Sequence, residues 1–207
     1  MREGIDAVLE IGDRNQRLQA LLALIEPEDV VIDCGANVGS IAAKFAARGC
    51  YLRCFEPDPQ AFAILEAKLG KNAKCELHRA AVWKEAGRAN LFFHRERETA
   101  EITLTQSSSL MADKINVDSA LAQEVELIDF PSFLRSLRAP AAVLKMDIEG
   151  AEGELLKAIL EQRLESRFQL CLVETHERKV PSSRPAMDFV RQTIAERGIR
   201  HIFLDWK

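Results

Sequence analysis

The sequence has no excess of positive charge. Its 28 lysines and arginines stand against 32 aspartates and glutamates, a net charge of −4 over 207 residues. A protein that grips nucleic acid through its phosphates usually carries a basic stripe, so a nucleic-acid partner is not expected. No apolar run approaches the roughly 20 residues that span a bilayer, so no membrane partner is expected either. The opening, MREGIDAVLEIGDRNQ, is charged and lacks the apolar stretch of a secretory signal. Cysteines are poorly placed for cross-links or zinc. Cys34, Cys50, Cys54, Cys75 and Cys171 are odd in number, include no CxxC pair and have no histidine at zinc-ligand spacing. They are expected to be reduced thiols of a cytoplasmic protein. There is no internal repeat and no low-complexity segment. What is present, 47% hydrophobic and 29% charged residues, suits one globular domain with a sizeable core.

The periodicity alternates between strand and helix. Leu18, Leu21, Leu22 and Ile25 recur at helical spacing, which predicts a helix over 14–25 that Pro27 ends. Val30–Cys34 is a continuous apolar strand of the kind buried on both faces of a parallel sheet. Val38, Ile41, Ala42 and Phe45 mark the next helix, and Leu52–Phe55 the next strand. A helix over Pro59–Leu69 and a third strand over Cys75–Val82 follow. The middle of the chain, 85–129, breaks the rhythm. Strands are expected at Leu91–His94 and Val125–Ile128, with a polar run between them that includes Arg95, Glu96, Arg97 and Glu98. This insertion is expected to pair antiparallel near the sheet edge, its loop being a lid or a solvated excursion. Strands then return at Ala142–Asp147, Phe168–Glu174 and Ile199–Leu204, with helices marked by Leu155–Leu160 and by Ala186, Phe189, Val190 and Ile194. The predicted fold class is α/β, a Rossmann-like, doubly wound, mostly parallel sheet in three α/β/α layers. The predicted organisation is a single domain over 1–207, with a helical extension at 1–28.

Such sheets bind ligands at the carboxyl ends of their strands, which directs attention to Asp33–Gly39, Glu56, Ala80–Trp83, Asp147–Glu152 and Glu174–His176. The first of these reads D-x-G-x-N-x-G. Gly35 and Gly39 allow a tight turn and close backbone approach to a ligand. The dinucleotide fingerprint GxGxxG would need a glycine at position 37, which is Asn37. An acid beside a pyrophosphate repels it, whereas an acid beside a cation attracts it. Asp33 therefore favours S-adenosylmethionine, which carries a sulfonium and an ammonium and no phosphate. Glu56, at the end of the second strand, is placed to accept hydrogen bonds from ribose hydroxyls. The cofactor-binding set is Asp33, Gly35, Asn37, Gly39, Glu56 and Asp147.

VVIDCGANVGSIA, CFEPDPQAFAILEAKL and VLKMDIEGAEGELLKAIL, followed by LVETHE, together resemble the FkbM-type family of S-adenosylmethionine-dependent methyltransferases. The likeness runs from about Val30 to Glu177, and DIEGAE at Asp147–Glu152 is its most specific part. SSSL at Ser107–Leu110 and IDFPSFL at Ile128–Leu134 add to it less specifically. The resemblance implies a class I methyltransferase sheet and O-methyl transfer to a small-molecule acceptor such as a sugar, a polyketide or another secondary metabolite. Sheets of this class usually end in an antiparallel strand after the sixth. Here the chain stops soon after Ile199–Leu204, so either that strand is missing or the insertion fills its place.

Methyl transfer needs nucleophile, methyl and sulfur held in line, and a hydroxyl nucleophile benefits from a base. Asp147, Glu149 and His176 are the catalytic candidates, one of them as base. Ile148 separates Asp147 from Glu149, so the two are expected to point different ways. Glu152, in the first turn of a helix, is expected to interact with the helix dipole. Lys145 is expected either to pair with an acid across the sheet or to steer an anionic substrate. Glu174, His176 and Asp147 form an alternative set for Mg²⁺ or Mn²⁺, though no metal is assigned. Two rival readings remain: a nicotinamide-dependent oxidoreductase, and a cofactor-binding domain without transfer activity.

Overall fold

The computed structural model describes residues 4–95 and 108–206. The strands, in chain order, are β1 (Val30–Cys34), β2 (Tyr51–Phe55), β3 (Cys75–His78), β4 (Ala81–Trp83), β5 (Gly87–His94), β6 (Val117–Asp129), β7 (Val143–Met146), β8 (Cys171–Val173) and β9 (Ile202–Phe203). The helices are α1 (Ile5–Leu9), α2 (Arg14–Leu24), α3 (Ser40–Ala46), α4 (Pro59–Leu69), α5 (Phe130–Ser136), α6 (Glu152–Glu161) and α7 (Arg184–Arg197). Six strands form one sheet in the order β3-β2-β1-β7-β8-β9, with every pairing parallel. The central strands β7 and β8 are buried throughout, as a parallel sheet covered on both faces requires. Residues of α1 to α4 pack on one face, with Leu21, Phe45, Leu65 and Trp206 in the core. Residues of α5 to α7 pack on the other, around Phe130, Leu155, Ile159 and Val190. The fold is therefore an α/β, doubly wound, three-layer sheet.

Helix starts follow their capping chemistry. The Asp13 side chain accepts from Gln16 N at 2.8 Å to start α2. Asp58 accepts from Gln60 N and Ala61 N ahead of Pro59 to start α4, and Asp129 accepts from Ser132 N to start α5.

Two expectations about the sheet are corrected. Cys75–Val82 is not one strand. The β2–β3 ladder ends at Phe55↔His78, where β2 itself ends, and the chain turns away so that Ala81–Trp83 pairs in parallel with Leu127–Asp129 of β6. Nor does the insertion join the edge of the main sheet. β4, β6 and β5 make a separate three-stranded sheet, β5 antiparallel to β6 with a register shift between Phe92 and Phe93. Leu91, Phe93, Val125 and Leu127 bury against Ala81, which gives this sheet its own small core. Among the described residues no antiparallel strand follows β9 in the main sheet, and the insertion does not supply one. The polar stretch at Glu96–Glu98, with Ser107, lies outside the described residues. The helix α5 was not anticipated, and α1 lies within the stretch expected as a helical extension. All five cysteines are free, four of them buried. Among the described residues no helix is long and apolar enough to cross a membrane.

Candidate functional site

Strand order reverses between β1 and β7, and loops leaving neighbouring strand ends in opposite directions open a crevice there. A cavity of about 340 Å³ occupies that crevice, within the size range of small-ligand sites. The loop after β1 forms its floor. Gly35 has φ +75°, and a Cβ placed there would stand 1.8 Å from the carbonyl oxygen of Asp147, so the loop passes directly over the end of β7. The Gly35 and Ala36 amides both donate to Phe55 O. Asn37 takes φ +48°, and its amide donates to Glu56 Oε2 at 2.8 Å, while Asp58 N donates to Glu56 Oε1 at 2.8 Å. Glu56 thus lines the cavity with its carboxylate fixed by the backbone on either side. Burial pushes this carboxyl up to about 7, against the pull of its two amide donors. Gly39 faces elsewhere: a Cβ on it would meet Leu65 Cδ1 at 2.8 Å, and the residue does not line the cavity. Its place is the packing of α3 on α4.

Asp33 is likewise set back from the cavity. The β1–β7 register puts it opposite Lys145, and Lys145 Nζ donates to Asp33 Oδ1 at 2.9 Å and to Gly35 O at 2.9 Å. The direct attraction expected between Asp33 and a cationic ligand is therefore corrected, because that carboxylate is committed to a buried lysine. Its Oδ2 is buried without a hydrogen-bond partner. Burial lowers the Lys145 pKa, but Asp33 and Asp147 outweigh that and hold it above the usual lysine value. The ammonium is thus a fixed charge that ties β1 to β7 and holds the Gly35 turn.

Acids and an imidazole converge at the other end of the cavity. Glu149 lies in the left-handed region at φ +56°, a conformation uncommon for a residue with a side chain. That turn brings Asp147, Glu149 and His176 together, with one ligand-type atom from each within 4.8 Å of the others. The expectation that Asp147 and Glu149 point different ways is corrected: residues two apart share a face even on a strand, and beyond β7 the left-handed turn at Glu149 keeps both acids together. His176 Nε2 lies 3.3 Å from Glu149 Oε2, 3.9 Å from Asp147 Oδ1 and 3.9 Å from Glu174 Oε1. Its Nδ1 lies 2.9 Å from Glu152 Oε1. Glu152 also accepts from Ile148 N at 3.0 Å and Gly150 N at 2.9 Å, so one buried carboxylate fixes both the Asp147–Gly150 turn and the imidazole. Burial lowers the His176 pKa, but the hydrogen bond it donates to Glu152 and the charges of Glu152, Glu149 and Asp147 outweigh it and hold it at about 9.

Several residues here were not assigned a place in the site from sequence. Glu152 holds the turn in addition to sitting in the first turn of α6. Lys114 Nζ, fully buried, donates to Glu149 Oε2 at 2.7 Å, and Ser109 Oγ donates to Glu149 O at 2.6 Å. Ser108 Oγ donates to Asp58 Oδ2 at 3.0 Å. The segment from Ser108 to Lys114 therefore straps the insertion onto both ends of the site. Arg14 of α2 reaches the cavity and pairs with Glu174 at 3.5 Å. The DIEGAE run was the available signal for Glu152. Lys114 and Arg14 carry none, because their roles depend on where distant segments dock. Trp206 is buried, and Trp83 has Lys84 over its ring.

The residues fit S-adenosylmethionine. Glu56, Asp147, Glu149 and Glu174 all line the cavity and match a ligand bearing a sulfonium and an ammonium. The apolar walls of Ala81 and Val82 suit a base.

Comparison with known proteins bears on the same region. The methyltransferase FkbM domain profile matches residues 33–200. The 2-O-methyltransferase NoeI of Sinorhizobium fredii (strain NBRC 101917 / NGR234) is 25% identical over 161 residues, covering 72% of this chain. The matched region spans 65% of the length of NoeI. Among solved structures, a putative rRNA-methylase from Clostridium thermocellum is 9% identical, with a TM-score of 0.47 over 86% of this chain and 78% of that one. The precorrin-6y C5,15-methyltransferase of Geobacter metallireducens GS-15 is 12% identical, with a TM-score of 0.45 over 88% and 72% of the two chains.

Proposed function

The chain belongs to the FkbM methyltransferase family, whose methyl donor is S-adenosylmethionine, and from that membership we propose that it methylates a hydroxyl oxygen of a small molecule such as a sugar, a polyketide or another secondary metabolite. The observation that carries the reading is the convergence of Asp147, Glu149 and His176 at the end of β7, beside the Gly35 turn. A cavity end rich in hydrogen-bond acceptors suits a ligand rich in hydroxyl donors. The likeness to a protein named as a 2-O-methyltransferase points the same way.

Bound S-adenosylmethionine supplies an electrophilic methyl group on a sulfonium. The chain supplies position and proton handling. The Gly35–Val38 turn and Glu56 hold the nucleoside end, Glu56 accepting from the ribose hydroxyls. Asp147 and Glu149 line the cavity, hold the acceptor hydroxyl in line and take its proton, with His176 packed behind them. Lys145, which also lines the cavity, and Glu152, which does not, keep the two halves of the site in register.

The test is label transfer from methyl-labelled S-adenosylmethionine to a panel of sugars and hydroxylated metabolites, with calorimetry of S-adenosylhomocysteine on the same protein. Wild type should bind S-adenosylhomocysteine and label an oxygen. Asp147→Asn should abolish turnover while leaving S-adenosylhomocysteine affinity within a few fold. Absence of S-adenosylhomocysteine binding by the wild type would overturn the reading. Binding without transfer to any acceptor would favour a domain that holds the cofactor without using it.

A further inference from the structure

We propose that Asp147, Glu149 and His176 bind one divalent cation of the Mg²⁺ or Mn²⁺ class at the acceptor end of the cavity. Bonds of about 2.1 Å place neighbouring octahedral ligands about 3.0 Å apart and opposite ones about 4.2 Å apart. The distances from His176 Nε2 to Glu149 Oε2, 3.3 Å, and to Asp147 Oδ1, 3.9 Å, lie inside that span. All three donor atoms lie within 4.8 Å of one another.

The imidazole is presented as a ligand would be. His176 is only 5% exposed. Its Nδ1 faces the Glu152 carboxylate at 2.9 Å, which directs the Nδ1 proton there and turns Nε2 toward the two acids. A carboxylate behind a histidine is the usual outer support of a metal-bound imidazole. Here that support is itself clamped by two backbone amides. Asp147 and Glu149 line the cavity and His176 does not, so a cation held by the three is backed by His176, with its open positions facing the acceptor. Lys114 donates into one lone-pair direction of Glu149 Oε2. A carboxylate has about four such directions, so that bond leaves room for a cation. Two hard carboxylates with one imidazole suit Mg²⁺ or Mn²⁺, and the absence of thiolate from the set disfavours a structural zinc site. The purpose of the cation rests on the methyl-transfer reading: its open positions would grip hydroxyl oxygens of the acceptor. His176 then serves as a ligand and not as the base.

The experiment is a titration of chelator-treated full-length chain with Mn²⁺, reading free Mn²⁺ by electron paramagnetic resonance. Calorimetry with S-adenosylhomocysteine runs on the same samples. Wild type should take up one Mn²⁺ per chain. His176→Gln and Glu149→Gln should each weaken that uptake at least tenfold. A cooperative thermal unfolding transition near that of the wild type shows that a variant is folded, and Glu149→Gln, at the less buried position, serves if His176→Gln does not fold. Less than one equivalent bound by the wild type at millimolar Mn²⁺, or uptake by folded variants equal to wild type, overturns the site. Failure of the wild type to take up Mn²⁺ while it still binds S-adenosylhomocysteine sinks the cation alone. Mn²⁺ bound without S-adenosylhomocysteine binding upholds the cation site and sinks the methyl-transfer reading.

Discussion

Glu56 is a carboxylate with one proposed ligand role and an unusual free state. Burial pushes it up to about 7, and ribose hydroxyls would donate more strongly to its ionised form. Binding is therefore linked to loss of a proton. Near pH 6 most of the free protein carries a neutral Glu56, and tight binding must ionise it. Near pH 8 the carboxylate is already charged. S-adenosylhomocysteine affinity should rise by up to about tenfold from pH 6 to pH 8 and then level off. Glu56→Gln should flatten that rise and cost about 2–3 kcal/mol at pH 8. Calorimetry at several pH values decides, and a flat wild-type profile removes Glu56 from the ribose. Glu152 acts on the fold first. Glu152→Ala leaves Ile148 N, Gly150 N and the His176 Nδ1 without their shared acceptor. Removing one member of a buried charged network costs about 3–5 kcal/mol, which denaturant unfolding would register. A loss under 1 kcal/mol would mean that the turn holds itself.

At the scale of the element, the turn between β1 and α3 tolerates little. Gly35→Ala would drive a Cβ into the Asp147 carbonyl at 1.8 Å from a backbone already in the left-handed region. The expected loss exceeds about 2 kcal/mol, and S-adenosylhomocysteine binding should fail with it. An alanine variant of wild-type stability would show that the turn can move off β7. The same turn shows what sequence can convey. Its glycine, and the strands and helix around it, were legible because a continuous apolar run and helical spacing each have a local cause. The bounds of β1 and α4 came out as read. The split of Cys75–Val82 was not legible, because whether β4 pairs with β2 or with β6 depends on a partner far along the chain. Asp33 was legible as an acid at a strand end, but its partner Lys145 is 112 positions away, and the pairing reverses its expected role. Asp147 and Glu149 were expected to diverge because Ile148 separates them, whereas the left-handed backbone of Glu149, which its residue type does not announce, brings the two acids together.

At the scale of the molecule, the segments near the two ends meet behind the acceptor side of the site. Arg17 of α2 donates to Ile11 O at 2.8 Å and to Asp205 O at 3.2 Å. Trp206 is 1% exposed within the core that α1 and α2 share. Arg14 lies 5.5 Å from the Trp206 ring centroid and reaches Glu174 in the cavity. The cofactor cradle stands on other supports, the β1 and β2 loops and the Lys145 bridge. Trp206→Ala should therefore separate two properties. Emptying so large a buried volume should cost about 3–5 kcal/mol and lower Tm by roughly 10 °C. S-adenosylhomocysteine affinity should stay within about fivefold, whereas turnover should fall further, because Arg14 loses its backing and Glu174 its partner. Thermal unfolding, calorimetry and label transfer on one preparation read all three. A drop in cofactor affinity as steep as the drop in stability would mean that α2 and the cradle unfold as one unit. The acceptor end would then have no separate support in the N-terminal helices.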